Sequence, residues 1–284
     1  MNNIYLLMPL YNDWESLNIL LKKIKKLNIL NVKLKILIVN DNSNKKNKID
    51  YKKDKFLRYI KIINLKKNFG HDRAIVAGLY YLIKKNILFN CVITMDSDGE
   101  DDPKYLSNII NLYKKNPDKM IICKRKRRNE NIFFKTFYYI HLLIIFIFTF
   151  KWLNYGAYNC LPRKKVFQLL NSKTIWGNYS ASIAKLDLNN IYLNTNRSTR
   201  YIYPSKTSFQ KLSLHSLTIM NVFKKNFITF YFIYSFGLLI FFSKLKVTIL
   251  ILIFFFIIMF LTFFLLSFRE NKNWKNIIFK NISF

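Results

Sequence analysis

Cys91-Val92-Ile93-Thr94-Met95-Asp96-Ser97-Asp98-Gly99-Glu100-Asp101-Asp102-Pro103 is the stretch on which the reading turns: an apolar run that breaks at Met95 into five acids within seven residues. A buried strand that delivers carboxylates at its end sets like charges side by side. They repel unless a cation sits between them, and Mg²⁺ or Mn²⁺ commonly bridges such groups to substrate phosphates. Two plainer readings stay open. Asp101 and Asp102 suit the first turn of a helix that opens at Pro103, where the macrodipole favours negative charge. A calcium loop is the other, although the spacing lacks the final Glu of an EF-hand.

Upstream, the chain alternates strands and helices. Ile4 to Leu10 reads as a buried strand with no basic segment before it, not as a signal peptide. Leu17, Leu20, Leu21, Ile24 and Leu27 recur at helical spacing, and Leu34 to Val39 forms a second strand before Asn40-Asp41-Asn42-Ser43. The rhythm continues with Tyr59 to Ile63 as strand, Ala74 to Ile83 as helix, Cys91 to Met95 as strand, Pro103 to Tyr113 as helix and Met120 to Cys123 as strand. Strands alternating with helices predict an α/β, doubly wound sheet, whose ligands bind outside the carboxyl ends of the strands. The polar segments Tyr11 to Asp13, Asn40 to Ser43, Asn64 to Gly70, Asp96 to Asp102 and Lys124 to Arg128 all follow strands. Small residues at Gly70, Ala74 and Gly78 share one helix face, which by itself reads as close packing.

Net charge is +32, from 47 basic and 15 acidic residues among 284, and Lys outnumbers Arg by 38 to 9. Together with frequent Asn, Ile and Phe, that excess reads as a compositional bias, with attraction to anionic lipid or phosphate as a consequence. No helix-turn-helix, zinc-finger or aromatic RNA-binding signature is present, so nucleic acid is not an expected partner. Cys91, Cys123 and Cys160 are odd in number and share no metal-like spacing, which suits a reducing compartment.

After Phe227 the composition changes. The uncharged runs 227–243 and 247–268 hold 17 and 22 residues, about 25 and 33 Å as helices, and predict a transmembrane hairpin. Lys224, Lys225, Arg269, Lys272 and Lys275 flank it and outnumber Lys244 and Lys246 in its turn. By the positive-inside rule both outer ends are cytoplasmic. A third apolar stretch, near 132–150, carries Lys135 and His141 and reads as a helix lying at the membrane interface, not a span. The domains expected are thus 1–222, cytoplasmic, and 223–284, a membrane anchor in a multi-pass protein. Gly237 is nearly alone as a small residue in the hairpin, and a homo-oligomer is left open.

Taken in order, Pro9-Leu10-Tyr11-Asn12-Asp13, Val39-Asn40-Asp41-Asn42-Ser43, Asn68-Phe69-Gly70 with Ala74 and Gly78, Asp96-Ser97-Asp98 with Asp102-Pro103, Arg125 with Arg128, and Arg200 with Ser205-Lys206 resemble a family 2 glycosyltransferase. The branch they look like contains dolichyl-phosphate mannose synthase and the bacterial polyprenyl-phosphate glycosyltransferases. That resemblance implies a GT-A, Rossmann-like catalytic domain and an inverting, metal-dependent hexosyl transfer from a nucleoside diphosphate sugar to a polyprenyl phosphate, in the making of a cell-envelope glycan. It implies that Pro9, Tyr11, Asp13 and Asp41, with Asn68 and Gly70, hold the nucleotide sugar, and that Asp96 faces sugar and diphosphate. Asp98 and Glu100 would ligate the metal, Mg²⁺ or Mn²⁺. Arg125 and Arg128 would contact phosphates, Asp96, Asp98 and Arg128 forming the catalytic set. Arg200, Ser205 and Lys206 would hold the acceptor phosphate, and the lipid bilayer would be a partner.

Two rivals follow from the same residues. One is transfer to another lipid or a glycan. The other is a catalytically idle, membrane-tethered nucleotide-sugar binder, suggested by Ala157 and Asn159 where the family usually carries Asp and Arg.

Overall fold

The computed structural model describes residues 2–27, 32–45, 49, 59–127, 132–186, 189–202, 209–241, 257, 261, 276–277, 280 and 282–283. The chain divides into two compact units. One comprises Met1–Asn131, Asn154–Lys206 and Trp274–Phe284, the other Ile132–Leu153 and Thr207–Asn273.

The first unit is built on β1 (Asn2–Leu10), β2 (Val32–Asn40), β3 (Ile60–Leu65), β4 (Cys91–Thr94), β5 (Ile121–Arg127), β6 (Tyr155–Pro162), β7 (Ile191–Asn196) and β8 (Ile282–Ser283). Among the described residues they form one sheet in the order β7-β5-β6-β4-β1-β2-β3-β8. The expected α/β pattern holds from β3 through β2 and β1 to β4, all parallel. Beyond β4 the sheet becomes mixed, because β6 runs antiparallel to both β4 and β5. The segment that holds Ala157 and Asn159, noted from sequence only for those two positions, is therefore a strand. Its Gly156, Asn159 and Pro162 obscure a strand pattern.

Helix α1 (Trp14–Lys26) covers one face of the sheet. Its stripe of Leu17, Leu20 and Ile24 is fully buried, while its last turn is lysine-rich, which suits the macrodipole. Burial of each such side chain stabilises the fold by about 1.5–3 kcal/mol. Helix α2 (His71–Lys84) covers another part of the sheet and approaches very closely. A Cβ on Gly78 would sit 2.5 Å from Leu7 Cδ1 and 2.9 Å from Val39 Cγ2, so the small residue at this position serves packing, as expected. Helices α3 (Leu106–Lys115), α5 (Arg163–Asn171) and α6 (Tyr179–Leu186) also belong to this unit.

Register decides where the chemistry lies. Leu10 is level with Asn40, and Asn40 with Asn64, while Leu7 pairs with Thr94. Four successive strands therefore end along one edge, and the loops that follow them converge there.

In the second unit α4 (Ile132–Thr149) packs with α7 (Phe209–Val222) and α8 (Lys224–Phe241). Leu142 and Ile145 are buried, with Ile219, Met220 and Phe223, and Ser216 Oγ lies 2.6 Å from His141 Nδ1. Tyr139, Leu143, Phe146, Phe232 and Phe236 are exposed. The helix expected near 132–150 is present as α4. Helix α8 covers most of the first expected span, 227–243, whereas the run 247–268 falls outside the described residues apart from Ile257 and Leu261. Among the described residues, no helix is long and apolar enough to cross a membrane.

Candidate active site

The acidic loop after β4 is held in shape by its own members. The Asp96 backbone N–H donates to Asp101 Oδ2 at 3.0 Å, and the Ser97 hydroxyl donates to the Pro9 carbonyl at 2.8 Å, tying the loop to the end of β1. Asp102 accepts from the Lys104 N–H at 3.0 Å and caps a 3-10 turn over Pro103–Tyr105. The helix-start reading thus holds for Asp102. Asp101 is an internal strut instead, and burial and the neighbouring Asp96 push its carboxyl up to about 7.

Asp96, Asp98 and Glu100 remain, and one carboxylate oxygen from each lies within 4.8 Å of the others. Burial, and then the Asp96 and Glu100 charges, raise the Asp98 carboxyl to about 6. Hard oxygen donors crowded to the point of mutual repulsion fit Mg²⁺ or Mn²⁺. This set is one residue wider than the Asp98 and Glu100 pair expected from sequence.

Asp96 behaves differently. Burial works against its charge, yet the His71 ring, Arg125 and Arg197 together hold its carboxyl well below the ordinary range. His71 Nε2 is 2.6 Å from Asp96 Oδ1, and Nδ1 is 3.2 Å from Asp72 Oδ1. Between two carboxylates the imidazole is pushed above its usual value although burial opposes the charge. Asp72 also accepts the Tyr179 N–H at 3.1 Å, which fixes the start of α6 to the start of α2.

A segment after β7 lies along the acidic loop. Ser198 N–H donates to the Glu100 carbonyl at 2.9 Å, and Tyr201 N–H to the Asp98 carbonyl at 3.1 Å. The Tyr201 ring rests against Gly99, whose φ of +93° and ring contact at 2.5 Å from an added Cβ both exclude a side chain. Lys23 Nζ lies 4.3 Å from the ring centroid. This segment brings two cations to the acids: Arg200 Nη2 is 2.8 Å from Asp98 Oδ2, and Arg197 pairs with Glu100.

The other strand ends build a polar shelf. Asp41 is buried and accepts the Phe69 and Gly70 N–H groups, each at 2.8 Å, so its carboxylate braces the Asn68–Gly70 turn. Burial raises its carboxyl, and the two N–H groups partly offset that. Gly70 has a φ of +91° and Asn68 Oδ1 accepts its N–H at 3.1 Å. Asn12, with φ +56°, accepts the Asn44 N–H at 2.8 Å and joins the β1 and β2 loops. Asp13 is 8% exposed, with Oδ2 3.8 Å from Arg200 Nη2. Its Oδ1 is buried and finds no hydrogen-bond partner among the described residues. Tyr11 stands half-exposed beside it. Arg125 lies so close to Gly156 that an added Cβ would be 2.3 Å from its Nη2.

Of the residues expected to share a site, the structure gathers Asp13, Asp96, Asp98, Glu100 and Arg200, with Arg125 near enough to act on Asp96 and Asp101. Pro9 lies at the end of β1, and Tyr11, Asp41, Asn68 and Gly70 sit on the adjoining loops. Arg128, Ser205 and Lys206 lie outside the described residues. Sequence reasoning missed His71 and Arg197. Each had a signal, His71 as the residue directly after the Asn68-Phe69-Gly70 motif and Arg197 as a second arginine three before Arg200.

Residues 5–170 match the family described as Glycosyl transferase family 2, more than half of the chain. An uncharacterized glycosyltransferase of Synechocystis is 30% identical over 136 residues, covering 44% of this chain and 38% of that protein. One of Bacillus subtilis is 27% identical over 133 residues, 46% of this chain and 39% of its own. The alignments thus span about two fifths of the length of these relatives. Among solved structures, glucosyl-3-phosphoglycerate synthase from Mycobacterium tuberculosis, in complex with Mn²⁺, UDP-glucose and phosphoglyceric acid, superposes with a TM-score of 0.54 at 11% identity, covering 79% of each chain. That is a likeness of fold.

Proposed function

Because the chain belongs to glycosyl transferase family 2, we propose that it is an inverting, metal-dependent glycosyltransferase that moves a sugar from a nucleoside diphosphate sugar to a polyprenyl phosphate at the cytoplasmic face of a membrane. The observation that carries this reading is the contact of Arg200 with Asp98 at 2.8 Å, beside the cluster of Asp96, Asp98 and Glu100. An anion held by Arg200 would lie next to one held at the acidic loop, as an acceptor phosphate and a donor diphosphate must.

Asp98 and Glu100, with Asp96, would hold Mg²⁺ or Mn²⁺, which when bound offsets the charge of the departing nucleoside diphosphate. The polar shelf of Tyr11, Asp13 and the Asn68–Gly70 turn would receive the nucleoside, and Asp13 Oδ1 offers it an unused acceptor. Arg125 would add positive charge on the phosphate side. A phosphate acceptor is itself anionic at neutral pH, its second pKa being about 6, so it needs little help from a general base. Arg200, with Ser205 and Lys206, would orient that phosphate.

The lipid part of the proposal is supported by the second unit. Tyr139, Leu143, Phe146 and Trp152 near α4, and Phe232 and Phe236 on α8, are exposed, and large apolar surfaces of this kind mark contact with membranes or partners. The apolar runs 227–243 and 247–268, flanked by lysines, would anchor the chain.

Incubating membranes that contain the protein with labelled nucleotide sugars and polyprenyl phosphate should move label into the organic phase. No lipid-linked product with any donor contradicts the proposal. A second reading, a nucleotide-sugar binder without turnover, draws on Ala157 and Asn159, which are 4% and 0% exposed and present no charge to a ligand. Donor binding without transfer across a broad acceptor panel would favour it.

A further inference from the structure

We infer that Arg197 is the internal counter-ion of the metal site: it holds Glu100 until a divalent cation arrives, and then turns to the donor diphosphate, so that cation and nucleotide binding reinforce one another. This rests on the proposed reading of the acidic loop as a cation and nucleotide-sugar site.

Arg197 and Glu100 are both largely enclosed, with side chains 21% and 14% exposed. Neither can lose its partner cheaply, since a half-buried charge left unpaired is costly. The charges of Asp96, Asp101 and Asp98 also act on the same guanidinium and favour its charged form against burial. A divalent cation on Asp98 and Glu100 would draw on the carboxylate that Arg197 now uses, and would add positive charge next to it. Cation entry alone therefore strands the arginine.

The backbone keeps the displaced group in place. Ser198 N–H is bonded to the Glu100 carbonyl and Tyr201 N–H to that of Asp98, and the Ser198 hydroxyl donates to Asp102 Oδ2 at 3.2 Å. With its anchor fixed on both sides, the Arg197 backbone stays beside the acidic loop wherever its guanidinium turns. A diphosphate arriving with the cation supplies the bidentate partner that the planar guanidinium favours. Binding free energies are reciprocal, so whatever the diphosphate gains from the cation the cation gains from the diphosphate.

The test is Mn²⁺ binding to the full-length protein, read from the paramagnetic resonance of free Mn²⁺, for wild type, Arg197→Gln and Arg197→Lys. Without nucleotide, Arg197→Gln should bind Mn²⁺ about tenfold more tightly, the equivalent of about 1.4 kcal/mol. With Mn²⁺ saturating, it should bind UDP and GDP more weakly than wild type by a similar factor. An arginine that only props up the loop predicts weaker Mn²⁺ binding, and that result, or unchanged affinity, overturns the inference. Should Arg197→Gln fail to fold, Arg197→Lys decides: its shorter side chain holds Glu100 less closely, so Mn²⁺ should bind more tightly than to wild type, and equal or weaker binding overturns the inference. If Mn²⁺ binds neither wild type nor variants, the cation site itself is refuted, a result distinct from a bound ion indifferent to residue 197.

Discussion

Arg200 and Asp98 meet at 2.8 Å, joining a segment after β7 to the loop after β4 across about a hundred residues of chain. The contact sits inside a cluster that still carries excess negative charge, for burial and the neighbouring Asp96 and Glu100 charges hold the Asp98 carboxyl up at about 6 despite the guanidinium. Under the proposed function, a divalent cation would offset that excess.

Asp98→Asn should separate folding from function. Removing one charge from a self-repelling group should leave the melting temperature of metal-free protein unchanged or raised at pH 7.5. Mn²⁺ affinity should fall at least tenfold and glycosyl transfer should vanish, because a carboxylate ligand contributes on the order of 1.4 kcal/mol or more to binding. Thermal melts and Mn²⁺ titrations on one preparation check both halves.

Stability should depend on pH in a direction set by Asp98 and Asp101, raised to about 6 and about 7. Their folded-state values exceed the unfolded one, so the folded protein binds more protons in between. Their contribution is complete below the ordinary carboxylate range and is lost as pH rises through 6 to 7. His71, also raised, adds a loss in the same sense at higher pH. Metal-free protein should melt lower at pH 8 than at pH 5.5. Mn²⁺ should restore the loss at pH 8 and do little at pH 5.5, where protons compete for Asp98. A melting temperature that rises with pH in metal-free buffer would contradict this.

Two glycines separate core from site. Gly78→Ala presses a methyl into Leu7 and Val39 and should cost about 1–3 kcal/mol of stability, leaving Mn²⁺ affinity intact. The three atoms nearest an added Cβ at Gly156 all belong to the end of the Arg125 side chain, which can move. Gly156→Ala should cost less stability yet weaken diphosphate binding, since Arg125 would be displaced. Denaturant melts with UDP and GDP titrations check the pair.

Asp41→Asn keeps the shape of a buried brace but replaces one acceptor oxygen with a donor facing the Phe69 or Gly70 N–H. An unsatisfied buried donor costs about 1–3 kcal/mol. The variant should melt lower in chemical denaturant and show faster amide exchange at residues 69–70.

The strands that carry the site were legible because parallel strands buried on both faces read as unbroken apolar runs, as Ile36 to Val39 does. β6 and β7 were not, since Gly156, Asn159 and the polar alternation of Asn194 and Asn196 look like loop. Asp96 and Asp98 were legible as acids that a buried strand has no reason to carry. Asp41 shows the limit of resemblance, which implied a nucleotide-sugar ligand, while only the folded register reveals both oxygens on a neighbouring turn. His71 and Arg197 stand beside motifs that could have drawn attention to them, but their partners lie 25 and 97 residues away, and no local spacing names those.

The most direct test of the central claim is a mass balance. Purified protein in detergent, with Mn²⁺, polyprenyl phosphate and a panel of UDP- and GDP-sugars, should release nucleoside diphosphate in step with polyprenyl phosphate heavier by one sugar, and Asp98→Asn should yield neither. Nucleoside diphosphate released with no sugar on the lipid, or no donor consumed, would contradict the account.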